Sequence, residues 1–278
     1  GCSNLKSLIF TETPEGQTPV DLVILDTPNG SSNNGYTNSP FYGCTSLKNI
    51  VLPERLTVIG RLAFGGLVSG RYGEKYIPPF ESISLPSTLK EIHEMAFLNA
   101  RNLKTVTFAS GTTLSDACDG KAFAIGKQAF YYCTSLTEIA LPTSSEATYS
   151  IGDTAFAYTG LKEISIPKAV GWLGSGVFNR SSDLAKAVFE AGANPKCGTS
   201  LFAYTAVSGV TLPEGVEAIS NYMFQGCVNL TSVTVPASVK SIGISAFESC
   251  QALAKVTFAT YEKDGKSYSN LISIDNYA

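Results

Sequence analysis

Apolar and polar residues alternate along this chain in a pattern that repeats itself. Residues 44–64 read CTSLKNIVLPERLTVIGRLAF, and residues 133–156 read CTSLTEIALPTSSEATYSIGDTAF. Residues 207–224 read VSGVTLPEGVEAISNYMF, and residues 227–247 read CVNLTSVTVPASVKSIGISAF. The shared unit is Leu-x-x-Ile-x-Leu-Pro, then an apolar residue, then Ile-Gly-x-x-Ala-Phe, often followed by x-x-Cys. Its closing residue recurs at Phe41, Phe64, Phe97, Phe130, Phe156, Phe178, Phe202, Phe224 and Phe247. The spacings are 23, 33, 33, 26, 22, 24, 22 and 23, so five of the eight lie within one residue of 23 and the other three carry insertions. A fixed period of this length marks a solenoid, because one unit cannot bury its apolar face alone and stacked neighbours can.

Each unit also predicts its own local structure. Ile50 and Leu52 alternate inward as a strand requires, and Leu47 turns inward just before it. Pro53 lacks an N–H and ends the strand, as do Pro86, Pro142, Pro167, Pro213 and Pro236. The pair Leu56 and Ile59 predicts a second brief extended piece. Gly60 and its equivalents Gly126, Gly152, Gly174, Gly198 and Gly243 are expected at turns with positive φ. The Ala-Phe pair is expected on a single helical turn, with Phe wedged between coils. All nine anchor Phe should be buried, together with Cys44, Cys133, Cys227 and Cys250.

The full unit, Leu-x-x-Ile-x-Leu-Pro-x-x-Val-x-x-Ile-Gly-x-x-Ala-Phe-x-x-Cys, resembles the BspA-type bacterial leucine-rich repeat, and the likeness covers the chain apart from its insertions. The resemblance implies a right-handed leucine-rich-repeat solenoid: a parallel β ladder with short helical turns and loops, and about ten repeats of about 23 residues. The expected organisation is one solenoid over residues 1–278, with partial repeats at both ends. The resemblance further implies a secreted or surface-anchored bacterial protein engaged in adhesion to host proteins or other cells. It transfers no ligand, because function lies in sites grafted on a fold.

Insertions at 11–40, 65–79, 109–124 and 259–273 break the period. Solenoid insertions gather on one face, often a binding face. The stretch Val20 to Leu25 is expected to add a strand at the solenoid edge. Tyrosine and arginine dominate interface energies. Tyr36, Arg71, Tyr72, Tyr76 and Tyr261 are therefore the candidate protein contacts, preferred over a ladder whose outward positions are mostly Thr, Ser and small aliphatic residues. Further tyrosines follow the anchors at Tyr42, Tyr132, Tyr158 and Tyr204.

Charge and candidate chemistry narrow the function classes. The 20 Lys+Arg against 23 Asp+Glu leave −3, which argues against a nucleic-acid footprint. The longest apolar runs fall far short of the ~18 residues that a membrane span needs. Five of the seven cysteines, Cys2, Cys44, Cys133, Cys227 and Cys250, hold one repeat position, which predicts small buried residues. Cys118 in an insertion is expected to be the more exposed thiol. No Cys-x-x-Cys suggests zinc, and neither Asp26, Asn29, Asn33 and Asn34 nor Asp116 and Asp119 follow the EF-hand spacing. His93 is the single histidine, so a nucleophile–base pair has no support.

No enzyme activity, cofactor or metal is expected. The leading expectation is a non-enzymatic, extracellular or cell-surface, adhesin-like module that binds a protein, either host matrix or another cell surface. The alternatives are a glycan-binding accessory protein and a structural spacer in a larger surface protein. The chain opens on Gly1-Cys2 and closes on Asp275-Asn276-Tyr277-Ala278, where the next Phe would fall, so the parent protein is expected to continue beyond at least one end.

Overall fold

The structure, a computed structural model, describes residues 2–10, 22–24, 39–66, 76–115, 123–143, 148–264 and 266–275. The first half of each repeat forms a short strand, and these strands stack in parallel. Ser7–Ile9 lies on Asn49–Val51. Ser82–Leu85, Thr105–Phe108 and Glu138–Ile139 follow in one sheet, and Glu163–Ile166 pairs with Lys186–Phe189. Gly209–Thr211, Ser232–Val235 and Lys255–Phe258 complete this first ladder. Equivalent repeat positions pair throughout, as Ile83 does with Val106 and Val210 with Val233, so one buried row runs along the inside.

The prolines end strands and also open turns. Leu85, Ile166 and Val235 close their strands directly before Pro86, Pro167 and Pro236. Each Pro carbonyl then accepts the N–H three residues on, from Leu89 (3.1 Å), Val170 (3.0 Å) and Val239 (3.1 Å). The next apolar pair forms a second parallel ladder. Leu22–Ile24, Leu56–Ile59 and Glu91–Ile92 pair in order, and Ile125 bridges Ile92 to Ile151. Tyr149–Ile151, Val170–Leu173 and Lys196–Cys197 continue it, and Ala218–Ile219, Ser241–Ile242 and Ser273–Ile274 form a further sheet at the same repeat position. The strand expected at residues 20–25 is thus a rung of this second ladder.

The Ala-Phe segment departs from the sequence expectation: it is a chain of tight turns, not a helical turn. Ala96, Leu98 and Ala100 donate to the carbonyls of His93, Met95 and Phe97, three residues back in the same coil. The N–H groups between them, of Met95, Phe97 and Asn99, donate instead to Lys127, Ala129 and Tyr131 of the next coil at 2.7–2.9 Å. Half of the donors therefore bond across coils, which excludes the i to i−4 ladder of a helix. Two left-handed residues per coil make this alternation: Met95 and Asn99 flank Phe97, and Thr154 and Tyr158 flank Phe156.

The repeat glycine is also corrected. None of Gly60, Gly126, Gly152, Gly174, Gly198 and Gly243 has positive φ. The residue is needed because neighbouring coils nearly touch there. A Cβ at Gly126 would stand 2.5 Å from Glu94 N, and one at Gly152 would stand 2.5 Å from Lys127 N.

One apolar core runs from Cys44 to Ala246. Its spine is a column of parallel Phe rings, with centroids 4.9 Å apart between Phe97 and Phe130 and 5.9 Å apart between Phe156 and Phe178. The rings stack on one another and do not wedge coils apart. Seven of the nine anchors are fully buried, and Phe41 and Phe247 are half-buried. The count of about ten repeats is adjusted in the same way: about seven turns are stacked in full, and the outermost strands belong to incompletely covered ones.

Candidate functional site

Three regions of the described surface carry chemistry. The first is the outer face of the first ladder. Val51, Ser84, Thr107, Ser165, Val188 and Thr211 succeed one another there, and three open grooves follow one another along the row. One of about 570 Å³ lies over Asn49, Val51 and Ser84, and one of about 550 Å³ lies over Thr107, Glu138, Ala140 and Ser165. The third, about 630 Å³, lies over Val188, Thr211 and Thr234. Short side chains leave this space, since nothing projects from the rungs to fill it. Charges beside the strands pair across coils: Lys104 with Glu81 at 2.7 Å and Lys186 with Glu163 at 3.4 Å. The hydrogen bond from Lys104, with its charge, lowers the Glu81 carboxyl below the usual range, and Lys240 does the same to Glu217.

The second region lies outside the Phe column. From Phe97 to Phe224 the residue two beyond the anchor is left-handed, and at successive coils it is Asn99, Tyr132, Tyr158, Arg180, Tyr204 and Gly226. Asn99 is buried, and the side chains of Tyr132, Tyr158, Arg180 and Tyr204 form a continuous outward row. The Tyr132 and Tyr158 rings stack at 4.4 Å and 9°, with Tyr131 edge-on to both. The Arg101 guanidinium sits 5.5 Å from the Tyr132 ring centre. Arg180 stands 6.0 Å from Tyr158 and 4.5 Å from Tyr204. Tyr204 ends the row by lying on Gly226, where a Cβ would come within 2.5 Å of its ring. The sequence shows three of these tyrosines at one offset from Phe; Arg180 holds the same offset and was missed, whereas Arg101 lies four beyond Phe97 and carries no such signal.

The third region is the insertions. Tyr36, Arg71 and Tyr72 lie outside the described residues, as do Cys118, the Asp26 to Asn34 cluster, and Asp116 with Asp119. Tyr76 is corrected as an exposed contact: it is buried, edge-on to Tyr42 at 5.3 Å, and burial pushes its phenol up to about 12, with Cys44 adding. Tyr261 is exposed. It belongs to an antiparallel hairpin of Tyr261–Lys263 and Lys266–Tyr268, and its ring stacks on that of Tyr268 at 5.8 Å.

The repeat cysteine is more than a small apolar residue. Cys133 donates its thiol to Phe97 O at 3.2 Å, and Cys227 to Phe202 O at 3.0 Å. Thr159, Ser181 and Thr205 hold the same offset, three beyond Phe, and donate to the carbonyls of Phe156, Phe156 and Phe202. Any small donor serves, which the Cys-only reading overlooked. Cys250 is half-buried and Cys2 exposed. His93 pairs with Glu91 at 2.9 Å. Among the described residues no group of three His, Cys, Asp or Glu could hold a metal ion, and no helix is long and apolar enough to cross a membrane.

The BspA type leucine rich repeat region matches residues 26–71, 75–118, 118–227 and 195–278, in six copies. The chain belongs to the BspA-type leucine-rich repeat family. Solved structures similar to this BspA-type protein include a leucine-rich cell surface protein of Faecalibacterium prausnitzii. It is 23% identical, with a TM-score of 0.44, over 80% of this chain and 76% of that one. A leucine-rich repeat protein of Eubacterium ventriosum is 20% identical, with a TM-score of 0.47, over 84% and 69%. The pneumococcal vaccine antigen PcpA is 20% identical, with a TM-score of 0.34, over 74% and 68%. No curated protein sequence matches the chain.

Proposed function

We propose that this BspA-type repeat protein works outside the cell or at its surface as a non-enzymatic, adhesin-like module whose partner is another protein, on host matrix or on a second cell. The reading is carried by the three open grooves that follow one another along the ladder. They offer a track for a polypeptide segment, whereas a small substrate is usually held in one concave pocket that covers most of its surface. Tyr36, Arg71, Tyr72 and Tyr261 are the proposed contacts, and Tyr76 is not among them because it is buried.

The test is a binding screen of the purified chain against matrix proteins and a glycan array. Saturable protein binding without glycan hits is the expected result. Glycan hits without protein hits would replace this reading with that of a glycan-binding accessory protein, and no binding at all would favour a spacer. Once a protein hit is in hand, Tyr72→Ala is expected to weaken it more than Thr107→Lys with Ser165→Lys. The reverse ranking makes the ladder grooves, and not the insertions, the main contact.

A further inference from the structure

We infer that the row Arg101, Tyr132, Tyr158, Arg180 and Tyr204 is a contact site for an acidic, extended segment of a partner protein. The inference rests on the protein-binding reading above and names the chemistry of the partner.

The backbone under the row is left-handed at Tyr132, Tyr158, Arg180 and Tyr204, with φ of 62°, 57°, 58° and 58°. Bulky residues are disfavoured in that region. Asn99 and Gly226 occupy the same offset with residues that suit it, so the repeat does not require large side chains there. Four consecutive coils nevertheless carry Tyr, Tyr, Arg and Tyr, pointing outward, and Tyr204 is 40% exposed.

The way they pack decides what they present. Ring faces, the electron-rich side of a tyrosine, are taken up: Tyr132 and Tyr158 cover each other, and Arg101 and Arg180 cover the remaining faces. What is left outward is ring edges, phenol hydroxyls and guanidinium N–H groups, all electropositive or donating. A sugar ring that needs an open aromatic face finds none. Among the described residues neither arginine forms an ion pair with a carboxylate, in contrast to the Lys–Glu pairs beside the ladder. Arg101 has one donor engaged, Nε to Asn99 Oδ1 at 2.6 Å.

Guanidinium recognises carboxylate with paired hydrogen bonds. The coils of Phe97 and Phe178 are three steps apart, on the order of 14 Å at ~4.8 Å per coil. That distance is spanned by about four residues of extended chain at ~3.3 Å each. Beyond Gly226, the 47% exposed Val228 sits at the offset Arg101 holds and adds an apolar contact that a peptide side chain can use.

The experiment uses fluorescein-labelled twelve-residue peptides with two Glu four positions apart, the same peptides with Gln, and a labelled heparin octasaccharide. Fluorescence anisotropy reads their binding to the whole chain and to the double variant Arg101→Gln with Arg180→Asn. The Asn suits the left-handed backbone at position 180, and thermal melting checks that the variant is folded. The Glu peptide is expected to bind and to lose at least tenfold in affinity with Gln or with the double variant. No binding of the Glu peptide, equal binding of the Gln peptide, full affinity in a folded double variant, or binding of heparin alone would each overturn the inference. A matrix protein that binds equally well to the double variant overturns this site while leaving the protein-binding function standing, so the two failures are distinguishable.

Discussion

On the ladder face Thr107, Ser165, Thr211 and Thr234 point outward, and beside it Lys104 pairs with Glu81 and Lys186 with Glu163 across coils. On the turn side the same repeats place tyrosine and arginine outward, and two guanidinium groups are left without carboxylate partners among the described residues. The difference arises in the backbone. Flat parallel rungs repeat every coil in register, so an outward side chain meets its own equivalents above and below; short residues stack there without crowding. The turn segment alternates left-handed residues, and at Tyr132, Tyr158, Arg180 and Tyr204 these carry side chains outward and over their neighbours. Beneath both faces lies the same Phe column, and its energetic weight separates core from surface most sharply. Phe178→Ala should cost about 3–5 kcal/mol, because it removes one ring from the middle of a closed stack. Thr211→Ala on the ladder face should stay within about 0.5 kcal/mol. Urea unfolding of the two variants measures both, and comparable losses would break the distinction.

A second pair of substitutions sharpens the role assigned to glycine. Gly152→Ala puts a Cβ 2.5 Å from the Lys127 nitrogen of the adjoining coil, against backbone that cannot step aside. Overpacking of that kind costs about 1–3 kcal/mol. Gly192→Ala meets nothing within 4 Å and suffers only from its φ of +81°. It should cost about 1 kcal/mol, the left-handed penalty alone. Thermal melting should rank Gly152→Ala as the more damaging.

These contrasts also show what the sequence could carry. Leu, Ile and Pro at fixed offsets specify both ladders, because alternation and a missing N–H act within a few residues; the strand at Leu22–Ile24 was legible for the same reason. The turn segment was not. Ala96-Phe97 reads locally as helix, and its true form depends on N–H groups whose acceptors, Lys127, Ala129 and Tyr131, lie 32 residues on in the next coil. Gly126 was misread for a similar reason: its neighbour is Glu94, one coil back. The outward row was half legible. Tyr132, Tyr158 and Tyr204 recur at one offset that Arg180 shares, but Arg101 joins them only through side-chain reach. Tyr76 departs from the expectation for an insertion because it packs against Tyr42, a contact that no local pattern announces.

Buried phenols give a pH-dependent contrast between inside and outside. Burial raises the phenols of Tyr76, to about 12, and of Tyr149, whose hydroxyl also donates to Pro142 O at 3.0 Å. The folded state thus favours the protonated form. This contribution is whole below the ordinary phenol value of about 10 and is lost as pH rises from there through the folded value. Stability should fall between about pH 10 and 12, and Tyr149→Phe should flatten that limb, at the cost of one hydrogen bond at neutral pH. Tyr204, outward on the turn side, provides the control: Tyr204→Phe should leave the alkaline limb as it is. Thiols offer a parallel check. Burial holds those of Cys197 and Cys250 up at about 12, while Cys2 is exposed. Iodoacetamide at pH 8 should modify Cys2 at least about tenfold faster, because the thiolate is the reacting form. Residue-resolved mass spectrometry reads it.

The smallest effect belongs to the paired charges beside the ladders. Hydrogen bonding to Lys104 and Lys240 lowers the carboxyls of Glu81 and Glu217, both fully exposed. A lowered folded value means that their contribution is present above the ordinary carboxylate range and is lost as pH falls through the folded value. Solvent screens these pairs, so Glu81→Gln should shift the melting temperature only slightly at neutral pH and less still in high salt. Below the folded value the variant and the parent should melt together. If Glu81→Gln moved the midpoint as far as Gly152→Ala does, the ladder face would depend on its charges for stability, and the contrast between a neutralised ladder and an open cationic row would lose its basis.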